Sequence, residues 1–165
     1  MLTHECSSPP NGRSGEHVTD QNTLKSVSAT VLVEPLRRCI WQRAGPTPDA
    51  TGISTSVLVT WQQVARRLAP VIGVRGANVL FARALHLASV TFPWLPDDDE
   101  PAERLEAILR ARLEARPVAI AFEAGCTVLQ ILTQLLSDLI GELLSERLLT
   151  PVWAASLPAE PERTP

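Results

Sequence analysis

The side chains most able to do chemistry fall in one stretch, "GVRGANVLFARALHLASVTFPWLPDDDE", from Gly73 to Glu100. It carries two arginines and a histidine among apolar residues, then Trp94 and four successive acids. At about 100° per residue, Arg75, Arg83 and His86 share a sector of roughly 80° on a helix through Val74 to Thr91. Ala77, Leu80, Phe81, Ala84, Leu87 and Ala88 occupy the opposite side. The spacing therefore predicts a cationic face directed away from the core. Guanidinium groups and an imidazole in one sector suit an anion or an acidic partner surface. They suit better a solvated face paired with the acids of residues 97–100.

His86 adds a second possibility. In having one exposed histidine on a helical bundle, the chain resembles the histidine phosphotransfer domains. The resemblance covers one residue and a fold class, and it implies that His86 accepts a phosphoryl group. Such domains follow their histidine with a nearby Lys and Gly; "HLASV" supplies neither.

Trp94 and Phe92, set between prolines, read as a plug over the bundle end or, if exposed, as a contact anchor. The run Asp97, Asp98, Asp99 and Glu100 reads as the acidic entry to a helix, with Pro101 in the first turn. No calcium loop, Walker A, GxGxxG, GxSxG or HExxH pattern occurs, and His4, Cys6 and His17 match no structural zinc spacing. Cys126 lies on an apolar stripe and reads as a small core residue. No metal and no cofactor is expected, and the chain reads as non-enzymatic.

The elements that must position these residues are helical. Val57, Leu58, Trp61, Val64, Ala65 and Leu68 follow the i, i+3, i+4 rule, and this helix starts near Ser54 or Ser56. Pro70 and Gly73 end or kink it. A third helix carries Leu105, Ile108, Leu109 and Leu113. A fourth runs from Pro117 to near Leu149, ahead of Pro151, with a wide apolar face that includes Cys126, Leu129, Leu132, Leu136, Leu139 and Leu143. Gly125 and Gly141 weaken that helix in isolation and permit a neighbour to approach closely. The fold class is all-α: a small bundle of about four helices with a long C-terminal helix and flexible tails. No internal repeat of fixed period is evident.

Organisation along the chain follows composition. Residues 1–22 are polar and rich in Ser, Pro, Gly and Asn, and read as a disordered tail. Residues 23–52 read as a docking segment and linker: "LKSVSATVLVEPLRRCIW" is apolar enough to pack on something, and Pro35 prevents one continuous helix. The bundle domain spans 53–153, and 154–165 is a loose Pro-rich tail. The most apolar region, Ala124 to Ser137, is interrupted by Thr127, Gln130, Thr133 and Gln134, which predicts no transmembrane segment. The three cysteines form no CxxC and point to a reduced, cytoplasmic setting. A net charge of -3 makes nucleic acid a poor partner. One lysine against fourteen arginines, with abundant Ala and Pro, has the look of a GC-rich bacterial genome.

These observations together predict a regulatory or adaptor domain acting through helix-mediated protein–protein contact or self-association. Trp94, Leu132, Leu136 and Leu143 are its expected interface. A phosphotransfer-like module using His86, or a small-ligand or anion-binding domain using Arg75 and Arg83, are the alternatives.

Overall fold

The computed structural model describes residues 33–97 and 99–155. The tail at 1–22, residues 23–32 of the docking segment, Asp98 of the acidic run, and all but the first two residues of the tail at 154–165 lie outside the described residues. The described residues form five helices and no strand: α1 (33–44), α2 (Ala50–Ser89), α3 (Ala102–Glu114), α4 (Val118–Ile140) and α5 (Glu142–Ala154). The all-helical bundle is as the periodicity predicts.

Among the described residues α1 is helical from residue 33 through Pro35 and Trp41 to residue 44. Its Leu36, Cys39 and Ile40 are buried in the same core as the longer helices.

α2 starts at Ala50, earlier than Ser54, because Asp49 caps it: its Oδ1 accepts from the Gly52 N–H at 2.6 Å. Gly73, at φ 77° and ψ 160°, interrupts it. The interruption is a reversal. Trp61 and Phe81 stack with ring centroids 4.2 Å apart, whereas a straight helix would hold them about 30 Å apart. The arms 50–72 and 74–89 therefore fold back on each other as a helical hairpin. Small polar residues buried on the first arm are satisfied locally: Ser56 donates to the Ile40 carbonyl at 2.7 Å and Thr60 to the Ser56 carbonyl at 2.8 Å.

The expected long C-terminal helix is broken as well. Gly141, at φ 90° and ψ 156°, separates α4 from α5. Such a conformation is nearly exclusive to glycine, so Gly141 acts as a break, while Gly125 does permit close approach: a Cβ there would collide with a methyl of Val57. α5 then continues through Pro151 to Ala154. Leu149, Val152 and Trp153 are buried around that proline, and their packing outweighs the one backbone hydrogen bond it removes.

Directions follow from the contacts. Glu106 meets Trp61 and Gln62, and Glu114 meets Ser54, so α3 runs antiparallel to the first arm of α2. Residues 115–117 return the chain in three residues, which sets α4 running with that arm. From the contact of Gly125 on Val57, both helices reach their glycine breaks at the same end of the bundle.

The two halves repeat. Every buried residue of α4 and α5 stands 68 positions after a buried residue of α2, the interval from Gly73 to Gly141. Ile53, Trp61, Val64, Leu68, Ala77 and Phe81 correspond in this way to Ala121, Leu129, Leu132, Leu136, Ser145 and Leu149. "QQVARRLAPVIG" and "QILTQLLSDLIG" share only Gln, Leu, Ile and Gly in register. An internal repeat is thus present in the burial pattern, where the residue identities conceal it. By length and composition alone, α2 and α4 are apolar enough to cross a membrane; here their apolar faces meet in the core.

Candidate functional site

The second arm of α2 carries Arg75, Val79, Arg83 and His86 along one side, with Ala77, Phe81, Ala84, Leu85 and Ala88 buried on the other. Arg75 and Arg83 are exposed, and neither makes a hydrogen bond or ion pair among the described residues. They lie two turns, or roughly 12 Å, apart. Helical side chains lean the same way along the axis, which preserves that spacing. His86 is engaged differently. Its Nδ1 donates to Asp97 Oδ1 at 2.7 Å, and a carboxylate acceptor places the imidazole proton on Nδ1. The expected three-residue patch is therefore one face holding two open guanidiniums and a histidine tied to the acidic loop.

That loop is anchored rather than capping. Pro101 occupies the position before α3, and no side chain caps this helix. Asp97 turns to His86, and its carbonyl accepts from the Glu100 N–H at 3.4 Å. Trp94 packs edge-on against Phe92, and the Arg116 guanidinium lies 4.8 Å over its ring. Arg112 donates to the Trp94 carbonyl at 2.6 Å. Trp94 is half-buried and fastens the loop to the end of α3.

The apolar stripe expected as a partner surface divides. Leu132 and Leu136 are 2% and 0% exposed and belong to the core, because α4 lies alongside the first arm of α2 at the level of Val64 and Leu68. Leu143 is 77% exposed, with Leu139 at 59% and Leu144 at 43%. Val71 and Val74 are also exposed, and they flank the other glycine break. The two breaks thus gather five exposed aliphatic side chains at one end of the bundle.

A cluster between α1 and α4 was not anticipated. Arg37 holds Glu123 with two parallel bonds, Nη1 to Oε2 at 3.0 Å and Nη2 to Oε1 at 2.6 Å. Its guanidinium also covers the Phe122 ring, against which exposed Trp41 packs edge-on. The hydrogen bonds from Arg37 hold the Glu123 carboxyl below its ordinary range. One turn along α4, burial pushes the Cys126 thiol up to about 12. That favours the inert thiol over a nucleophilic thiolate. The partners lie far apart in sequence, and only the apolar character of residues 24–41 hinted that something docked there.

Among the described residues no group of three His, Cys, Asp or Glu side chains is placed to hold a metal ion. Searches against protein-family models, curated proteins and solved structures find no match to this chain.

Proposed function

We propose that this chain is a non-catalytic helical binding module, a regulatory or adaptor protein of the cytoplasm. Its working surface is the bundle end bearing Gly73 and Gly141. The observation that carries this reading is Leu143, 77% exposed and accompanied by Leu139, Leu144, Val71 and Val74. Single exposed aliphatic residues are ordinary, but five gathered at one end of a bundle favour a contact surface. The kind of partner favoured is an apolar helix, either from another protein or from a second copy of this chain. Arg75, one residue past Val74, gives that surface a cationic rim.

The solution mass of the full chain, followed by light scattering over a wide concentration range, tests the self-association form. The expected result is a dimer that loses mass in the double variant Leu139→Glu, Leu143→Glu while keeping its helical circular dichroism. A monomer at every concentration ends the self-association form and leaves a partner protein as the occupant.

A further inference from the structure

We infer that the bundle end at Gly73 and Gly141 docks on the same end of a second copy of this chain, about a twofold axis that sets the Gly73 break of each copy on the Gly141 break of the other. This rests on that end being the working surface, and it names both the partner and the orientation. Two observations converge: the breaks are alike in shape and opposed in charge. Val57 meets Gly125, and each stands 16 residues before the glycine of its own break. α2 and α4 run the same way there, so the two breaks lie side by side at one level. Each presents exposed aliphatic side chains, Val71 and Val74 at the first and Leu139, Leu143 and Leu144 at the second.

The charges around the breaks have opposite sign. From residue 50 to residue 96 the chain carries Arg66, Arg67, Arg75 and Arg83 and no acid. From residue 117 to residue 146 it carries Glu123, Asp138, Glu142 and Glu146 and no basic residue. Arg67 and Arg75 are exposed near the first break, and neither makes a hydrogen bond or ion pair among the described residues. Asp138 and Glu142 are exposed beside the second. Across the 68-residue interval, Val74 corresponds to Glu142 and Arg75 to Leu143. The end is thus half basic and half acidic, and each half has its own aliphatic residues.

Two copies meeting end to end have two symmetric choices. A twofold axis along the line joining the breaks sets like on like, basic half against basic half and acidic against acidic. An axis across that line sets Arg67 and Arg75 of each copy against Asp138 and Glu142 of the other, with the aliphatic residues covered between them. Opposed like charges cost affinity, whereas complementary charges fix register, so charge selects the second arrangement. Five aliphatic side chains are few beside the roughly 20–30 residues a side of a standard interface. The ionic rim therefore decides the orientation and makes the association sensitive to salt.

The test is charge reversal in the full chain, with mass followed by light scattering and pairing read by native mass spectrometry. The variant Arg67→Glu, Arg75→Glu should be monomeric at concentrations where the parent is a dimer, and so should the variant Asp138→Arg, Glu142→Arg. Mixed in equal amounts, the two should form a heterodimer, since one contact then pairs the two reversed breaks and the other pairs the two native ones. Recovery on mixing also excludes misfolding as the cause of lost mass. The dissociation constant of the parent should rise at least several-fold between about 0.05 and 0.5 M NaCl, a readout that needs no variant. Variants that remain dimeric, a mixture that stays monomeric, or a constant unmoved by salt would overturn this pairing. Loss of mass in Leu139→Glu, Leu143→Glu would still support the surface. A parent monomeric at every concentration would overturn the second copy as occupant and leave the surface to a partner protein.

Discussion

At the scale of single residues, two contacts make measurable claims. Glu123 is held ionised by Arg37, so its folded-state pKa lies below the unfolded value. A carboxyl depressed on folding adds stability above its unfolded pKa, near 4.3, and loses that contribution as pH falls through the lower folded value. Both side chains are substantially exposed, which limits the pair to about 0.5–1 kcal/mol. Glu123→Gln should therefore cost about that much at pH 7 by urea denaturation, and the difference from the parent should shrink toward zero as pH falls through the lowered folded value. Gly125 makes a steric claim. An alanine there gains helix propensity but drives a methyl into Val57, at a cost of about 1–3 kcal/mol. In a Val57→Ala background the same change should become neutral or favourable, and thermal denaturation of the four-member cycle would show the change of sign. Neither contact was legible in the sequence, because each joins residues brought together only by the tertiary fold. His86 and the arginines were legible as a face, since one helix sets their sector. The Asp97 bond was not, since a run of acids before Pro101 reads equally well as a helix entry.

At the scale of elements, the sequence disclosed periodicity well and terminations poorly. Proline and glycine are ambiguous marks whose meaning depends on what packs beside them. Pro70 and Pro151 look like stops, yet both lie inside helices. Pro35 looks like a break and lies within helical residues as well. Gly73 reads in the sequence as an interruption and is one, whereas Gly141 reads as part of a continuous helix and is a break of the same kind. Both breaks have open space where a Cβ would lie, so the cost of a side chain there is backbone strain alone. Gly73→Ala and Gly141→Ala should each lower unfolding free energy by about 1–3 kcal/mol, read from denaturant midpoints with an unchanged slope. A cost near zero at either position would mean that the turn relaxes to another conformation.

At the scale of the whole molecule, the bundle is built from two like units, each a short helix, a longer helix, a glycine break and a returning helix. The burial pattern makes the likeness plain, while four shared residues in "QQVARRLAPVIG" and "QILTQLLSDLIG" leave it nearly invisible in sequence. Core packing constrains where apolar volume sits far more than which residue supplies it, so a repeat persists in burial after it fades in identity. The fold class was legible because helical period alone determines it. The apolar end was not, since Leu132, Leu136 and Leu143 look equivalent on one uninterrupted helical wheel and are divided only by the turn at Gly141.

The units are also interlaced. α1 of the first is clamped to α4 of the second through Arg37 and Glu123, and α3 of the second lies on α2 of the first through Glu106 and Glu114. Neither half can then complete its core alone. A chain severed between Pro96 and Glu100 should yield two fragments that are poorly helical apart and regain helicity when mixed in equal amounts. The loop held by Trp94 and His86 is thus the natural place to divide this protein into a complementing pair, with reassembly itself as the signal.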